Sequence, residues 1–244
     1  MITLYNYIFI KCDNYNISMD LNLTLKNLIN DTLAPQLKSM GFNKSGNNFY
    51  REIGEIGQCV NVQQSRWNSV ESKEFTINIG LLHKGILKTH LNKEIPKFPK
   101  EYDCLVSTRL WHLKIKGDHW YELNTNTAFK AIANEINNDV ISYLIPFLIQ
   151  YDQFNNWIDL VTNSNNIAVS DITKFYILTE LGQLNDARIL LKDLFNENIK
   201  PQIQTSTINY PDGTSVITES EPYINWNYIN HIKDLAKKFD IILE

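Results

Sequence analysis

Histidine and carboxylate side chains crowd one stretch of the sequence, where Asp118 and Glu122 flank His119 and His112 lies seven residues before it. Imidazole and carboxylate groups can bind a metal ion or move protons when three or four of them converge. Adjacent side chains of an extended segment point to opposite faces, so Asp118 and His119 cannot both face one centre. We therefore expect neither a metal nor a cofactor here, and a turn aspartate beside partly buried histidines accounts for the pattern.

The three cysteines, Cys12, Cys59 and Cys104, are the candidate nucleophiles. Their number is odd and no two form a C-x-x-C pair, which is typical of a reducing, cytoplasmic compartment. Cys104 and His112 fall in one predicted strand, which would separate them by roughly 26 Å at ~3.3 Å per residue. The sequence also contains no phosphate-binding glycine loop and no serine-nucleophile motif. It therefore predicts no catalytic residues.

Composition and charge narrow the classes of function. The chain has 244 residues, 43% of them apolar and 20% charged, with a formal net charge of −4 and a pI near 5.8. This composition is that of a globular protein and excludes a disordered chain. Nucleic-acid binders usually carry a basic field, so the charge disfavours nucleic acid as a partner. The longest apolar run, residues 140–149, is too short to cross a membrane, and we expect a cytoplasmic protein with no membrane contact.

Periodicity places these residues on helices and strands. Apolar residues at helical spacing predict a helix at about residues 22–40, kinked at Pro35 and ended by Gly41. Five strands follow, within segments 47–54, 56–67, 73–83, 103–115 and 119–124. Short turns join most of them, which predicts an antiparallel meander, with residues 84–102 as a longer excursion. A helical stripe from Ala128 to Phe147 and a helix at about 152–162 come next.

In the last third of the sequence the spacing of apolar residues changes twice more, from helical to strand-like and back. Residues 171–197 predict a helical hairpin that resembles a single tetratricopeptide unit. Residues 201–219 predict a β-hairpin arm around Pro211-Asp212-Gly213, and residues 224–240 predict a final helix. We therefore expect an α+β fold, an antiparallel β-meander packed on one face by helices and followed by a mostly helical region with a hairpin arm. The expected parts are 1–21, an N-terminal extension or added strand; 22–150, the α+β domain; and 151–244, the helical region.

Several blocks in the strand region resemble one known family. The blocks are LAPQLKSMGF with FYR, then NVQQSRW, FTINIGL, DCLVSTRLWHL and DHWYEL, and their spacing is the specific part of the likeness. Over about residues 22–150 the chain resembles a bacterial family catalogued as a domain of unknown function, number 4304. The resemblance implies a compact α+β domain of bacterial origin. It supplies no activity, cofactor or catalytic residue that can be carried over.

Side-chain alternation along the predicted strands gives the sheet one apolar and one polar face. Arginine and tryptophan are scarce in the chain, yet three of the four arginines and three of the five tryptophans lie in the strand region. Both residue types are typical anchors of protein interfaces. We predict that the face away from the core binds a partner protein, a peptide or a small polar ligand through Asn61, Gln63, Ser65, Trp67, Thr76, Asn78, Arg109 and Trp111. The alternative is that the C-terminal helices cover this face and Arg109 forms an internal salt bridge.

Three functions remain open at this point. The first is a non-enzymatic binding protein of a bacterial cytosol, for example an immunity-type protein whose net charge of −4 helps it to engage and neutralise a basic toxin. The second is an enzyme with a diffuse hydrolase or nuclease-like site, which requires carboxylates or a metal that converge only in the fold. The third is a single-stranded nucleic-acid module in which Trp67 and Trp111 stack on bases. We favour the first, with another protein as the partner.

Overall fold

The computed structural model describes residues 20–114, 119–162, 167–210 and 213–243. Within these ranges the main feature is a seven-stranded antiparallel sheet, and a separate two-stranded sheet lies near the C-terminus. The strands of the large sheet are β1 (Asn43–Ser45), β2 (Asn48–Ile53), β3 (Ile56–Gln64), β4 (Ser72–His83), β5 (Val106–Arg109), β6 (Tyr121–Asn124) and β7 (Ala168–Val169). The expected N-terminal extension, up to residue 19, lies outside the described residues, as do Cys12, Asp118, Pro211 and Asp212.

The first five strands follow one another across the sheet, and each pairs antiparallel with the next. Strand β4 is the long central strand, and two short strands share its second edge. Strand β5 pairs with Asn78–Leu81, and β6 pairs with Ser72–Phe75. The predicted α+β class and antiparallel sheet are therefore confirmed, but β6 returns to β4 instead of extending the meander. Strand β7 adds to the outer edge of β5.

Helices pack on one side of this sheet, and the first of them is divided. The predicted single helix at 22–40 is two helices, α1 (Leu21–Asp31) and α2 (Leu33–Ser39). The break lies at Thr32 and not at Pro35, because proline occupies the first turn of α2, where its missing N–H costs no hydrogen bond. Helix α1 begins after Asp20, whose carboxylate accepts hydrogen bonds from two backbone N–H groups. Gly41, with φ of +88°, follows the end of α2, as predicted.

The prediction of one strand across residues 103–115 is wrong. Within residues 103–114, strand β5 spans only Val106–Arg109, and helix α3 (Leu110–Lys114) follows directly. Two contacts stabilise this helical turn. Lys114 Nζ lies 3.0 Å from Asp139 Oδ1, and the Trp111 ring packs against His119 with 4.0 Å between ring centres. The 26 Å separation expected for Cys104 and His112 within one strand therefore does not apply.

The remaining helices of the α+β region form a continuous helical stripe. Helix α4 (Phe129–Asp139) passes through a π-helical turn at Val140–Leu144 into α5 (Ile145–Gln150), so the predicted stripe to Phe147 is confirmed. The sheet residues that face this layer are buried and apolar, among them Val60, Ile77 and Ile79. The hydrophobic core continues past residue 150, since Trp157 and residues of the C-terminal helices belong to the same cluster.

The other side of the sheet is covered over half its length. At the end of β4 near His83, the excursion folds over Tyr50, Cys59 and Leu82 and forms a second, smaller apolar cluster with Leu87. It runs past its predicted end at residue 102 and reaches residue 105, just before β5. The expectation of a polar face along the whole sheet is therefore correct only for the other half, near the start of β4.

The C-terminal region has the predicted mostly helical character. Its elements are α6 (Ile158–Thr162), α7 (Asp171–Glu180), α8 (Leu184–Asn198), β8 (Thr205–Asn209), β9 (Ser215–Glu219) and α9 (Trp226–Lys238). Helices α7 and α8 form an antiparallel pair around Gly182, whose φ of +74° suits the turn. Strands β8 and β9 form the predicted hairpin arm, with Gly213 at φ +84° in its turn.

Candidate functional site

The half of the sheet that the excursion leaves uncovered carries a network of side-chain amides, which we call the polar face. The Nδ2 of Asn78 donates to Oε1 of Gln63 at 2.8 Å and to Oδ1 of Asn61 at 3.4 Å. Asn61 in turn donates to Oδ1 of Asn48 at 2.8 Å. The register explains these contacts, because Asn61 lies opposite both Asn78 and Asn48 on the neighbouring strands. The network thus crosses three strands, β2, β3 and β4.

Arginine and tryptophan lie on the opposite flank of β4. Arg109 is the register partner of Asn78, so both side chains occupy the polar face. The Arg109 guanidinium carbon lies 5.4 Å from the ring centre of Trp120, a cation–π contact. Trp120 precedes Tyr121, which lies opposite Phe75, and this places Trp120 beside Thr76. The sequence prediction missed Trp120, although its alternation with the buried Tyr121 was the available signal.

The side chains of the polar face differ in exposure, and we call the buried ones the floor and the exposed ones around them the rim. Thr76 and Asn78 are 1% and 7% exposed, so they form the floor. Asn61, Arg109 and Trp120 are partly exposed and Gln63 is exposed, so these side chains form the rim. Because the Asn78 amide bonds Asn61 and Gln63, these two rim side chains are already ordered and lose little entropy on binding.

Three of the eight predicted residues lie elsewhere. Trp111 is not on the polar face, because it belongs to α3; it stacks on His119, and Lys114 Nζ lies 4.3 Å from its ring centre. Ser65 and Trp67 lie just beyond the end of β3, in the turn toward β4. Trp67 is 84% exposed. The remaining five residues, Asn61, Gln63, Thr76, Asn78 and Arg109, do share one side of the sheet.

Two carboxylates lie side by side at the β6 end of the polar face. Glu74 and Glu122 are direct register partners on β4 and β6, and both are exposed. Glu122 accepts hydrogen bonds from Asn124 Nδ2 at 3.0 Å and from Ser72 Oγ at 3.4 Å. In the described part of the chain, neither glutamate forms an ion pair. Directly opposed like charges repel each other, so this pair favours an incoming cation.

The two described cysteines, Cys59 and Cys104, lie together where the excursion covers the sheet. Hydrogen bonding with the Cys59 thiol and burial raise the pKa of Cys104 well above its ordinary value. A high pKa keeps the thiol protonated and unreactive at neutral pH. Cys59 is buried and Cys104 is partly buried, so both pack as small side chains between the sheet and the excursion.

Two histidines lie near the C-terminal helices. His90 Nε2 lies 2.6 Å from Glu180 Oε1 and its ring stacks on Tyr176, so this contact ties the excursion to α7. Burial lowers the pKa of His83 below its ordinary value. Among residues 20–114, 119–162, 167–210 and 213–243, no three His, Cys, Asp or Glu side chains are arranged to hold a metal ion. The same ranges contain no helix that is long and apolar enough to cross a membrane.

Comparison with known proteins finds a similarity in the first part of the chain. No curated protein and no solved structure matches the chain. A family model does match residues 33–150, the segment that holds β1 to β6 and helices α2 to α5 together with the whole polar face. The matching model is that of the family described as Domain of unknown function (DUF4304).

Proposed function

We propose that the protein is a non-enzymatic, cytoplasmic binding protein of a bacterium that uses the polar face to bind another protein. Three features of the face support this role. The side chains held by the amide floor, the Arg109–Trp120 pair and the two exposed glutamates lie on one side of the sheet. Trp and Arg are the side chains that most often carry binding energy at protein interfaces.

The single observation that carries the proposal is the cross-strand pair of Glu74 and Glu122. The register holds the two carboxylates opposite each other, and the described residues supply no cation to neutralise them. A Lys or Arg of a partner would relieve this repulsion and also gain charge-assisted hydrogen bonds. We therefore infer a partner with a basic contact surface. An immunity-type role, in which that partner is a toxin, is the specific form that we favour.

A single-stranded nucleic acid is the competing ligand. Trp67 is 84% exposed and the Arg66 guanidinium carbon lies 5.9 Å from its ring centre, a pairing suited to base stacking. The two glutamates disfavour a nucleic acid. The turn that holds Trp67 is hydrogen-bonded to the backbone of Glu74, so a strand stacked on Trp67 would bring its phosphates near the acidic pair. The acidic pair therefore favours a basic protein over a polyanion.

The test is a charge reversal with a matched control. The Glu74→Lys/Glu122→Lys variant inverts the pair on the polar face. The control, Asp193→Lys/Glu197→Lys, makes the same change in charge at two exposed positions of α8. Each protein is used to purify partners from the native cell, with identification by mass spectrometry. We expect a basic protein that the wild type and the α8 variant retain and the polar-face variant loses.

Two further results decide between the alternatives. Retention of every partner by the polar-face variant, with unchanged unfolding curves, would show that this face is not the binding site. Single-stranded oligonucleotides are tested in the same series, and tight oligonucleotide binding by the wild type would favour the nucleic-acid function. The toxin version is tested by co-expression with the product of the adjacent gene, and absence of protection would eliminate it.

A further inference from the structure

The hairpin formed by β8 and β9, which we call the arm, projects from the body of the protein. All ten residues of its two strands are exposed. At its base, Gln202 and Tyr223 exchange two backbone hydrogen bonds of 2.8 and 3.0 Å. A two-stranded hairpin in water is at best marginally stable, since it has no third layer to bury its apolar side chains. Packing against another element would therefore stabilise the arm.

Apolar side chains concentrate on and around the arm. Seven of the seventeen large apolar residues that are exposed in the described chain lie between residues 203 and 226, namely Ile203, Ile208, Tyr210, Val216, Ile217, Tyr223 and Trp226. By the strand register, Ile208 and Val216 lie on one face of the arm and Ile217 lies on the other, so both faces expose apolar side chains. Grouped exposed apolar residues mark interaction surfaces. Ile217, at 66% exposed, is the most exposed of the group.

The hydrogen-bond pattern shows which backbone groups of the arm are open. Tyr210 N–H donates to Thr214 O, and Ser220 N–H donates to Gln204 O. In an antiparallel pair, bonded positions alternate with non-bonded positions, so Ile208 and Val216 also form a bonded pair within the arm. The backbone N–H and C=O groups of Ser215, Ile217 and Glu219 consequently face outward along the free edge of β9. No lysine or proline blocks this edge.

We propose that a second copy of the chain occupies this edge, with the two β9 strands paired antiparallel and Ile217 on the two-fold axis. The charge pattern of the arm favours a copy of itself. Strand β8 carries no charged residue, and the one charge of β9 is Glu219. In this register Glu219 lies opposite Ser215 of the other copy, so no like charges meet. The two Ile217 side chains face each other across the axis, and the pairing yields one four-stranded sheet.

The alternative symmetric pairing, between two β8 strands, is less favourable. It would place Thr207 on the axis, and Thr207 offers less apolar surface than Ile217. Pairing through β9 also covers Ile217, the more apolar of the two axial side chains. Because five-residue strands bury far less than the ~800 Å² per partner of a standard interface, the dimer is weak and depends on concentration.

The experiment is sedimentation velocity of the full chain from about 5 to 500 μM, a range chosen for a weak interface. Ile217→Lys places a charge on the proposed axis. Thr207→Lys is the matched control, because Thr207 is the register partner of Ile217 on the same face of the arm but borders the other edge. We expect the wild type and Thr207→Lys to approach twice the monomer mass with increasing concentration, and Ile217→Lys to stay monomeric.

Amide hydrogen exchange supplies a second readout at single residues. The amides of Ile217 and Glu219 should gain protection in the wild type as the concentration rises, and they should exchange freely in the Ile217→Lys variant. A wild type that stays monomeric at the highest concentration overturns the proposal. Dimers that persist in Ile217→Lys, or that are lost equally in Thr207→Lys, also overturn it, because they exclude the β9 edge as the interface.

Discussion

Asp139 is the residue whose replacement tests the local structure around α3 most directly. It lies at the end of α4 and is 4% exposed. Its Oδ2 accepts a hydrogen bond from the Tyr121 hydroxyl at 2.8 Å, and its Oδ1 accepts one from Lys114 Nζ at 3.0 Å. One carboxylate thus joins α4, β6 and α3. Burial and the neighbouring Asp139 raise the pKa of Tyr121, so the hydroxyl stays protonated and acts as the donor.

The Asp139→Ala substitution removes two charge-assisted hydrogen bonds and leaves the Tyr121 hydroxyl buried without its acceptor. Loss of one partner of a buried pair costs about 3–5 kcal/mol. The cost here lies at the lower end of this range, because the Lys114 side chain is 28% exposed and its ammonium group can turn to water. We therefore expect a loss of about 3 kcal/mol in the free energy of unfolding. The companion change, Tyr121→Phe, removes one bond and should cost about 1–2 kcal/mol.

Urea unfolding of the two single variants and the double variant measures these terms. Asp139 and Tyr121 contact each other, so the double variant should lose about 1 kcal/mol less than the sum of the single losses. Asn138→Ala, at the exposed neighbouring position, is the control and should change stability by less than about 0.5 kcal/mol. A loss below about 1 kcal/mol for Asp139→Ala, or strict additivity, would refute the assigned role of the carboxylate.

Three further perturbations follow from buried contacts. Gly80→Ala places a Cβ 2.6 Å from the Cys104 sulfur. In urea unfolding this variant should lose about 1–3 kcal/mol of unfolding free energy, and adding Cys104→Ala should restore part of it. An unchanged stability would contradict the close approach. Trp157→Phe removes the indole donor to Tyr151 O, at 3.2 Å, and should lower stability by about 1–3 kcal/mol in the same assay, whereas an unchanged value would contradict the bond. Burial lowers the folded-state pKa of His83 below 6.5, so the unfolded chain takes up its proton first and stability falls as the pH drops below about 6.5. His83→Gln should remove that part of the pH dependence, measured as the unfolding midpoint against pH, and an unaltered pH profile would contradict the assignment.

Periodicity alone predicted most of the elements because each carries a clear pattern. Alternation along Phe75, Ile77 and Ile79 and helical spacing across 128–147 have one interpretation each. The segment from Leu110 to Lys114 has two possible interpretations, since a five-residue run of apolar and polar residues is compatible with a strand or with a helical turn. Its conformation depends on the contact between Lys114 and Asp139, twenty-five residues apart, which no local pattern contains.

The polar face was also predicted only in part, because some of its residues are placed by local strand alternation and others by the pairing of distant strands. Strand parity placed Asn61, Asn78 and Arg109 on one side, because parity follows from the sequence of each strand. The positions of Trp120 and Glu122 depend on the pairing of β6 with β4, which returns past β5. A simple meander would have placed both residues one strand further away. The opposition of Glu74 and Glu122 was for this reason invisible in the sequence.

The change from covered to open sheet takes place within two residues on each of two adjacent strands. On β3 it falls between Cys59, which is buried under the excursion, and Asn61, which is half-exposed. On β4 it falls between Gly80, whose missing side chain admits Cys104, and Asn78, which bonds two amides. Apolar side chains in place of these amides would have required a second covering segment. The amides instead satisfy one another and leave the surface stable in water, which is the property that a binding face must have before its partner arrives.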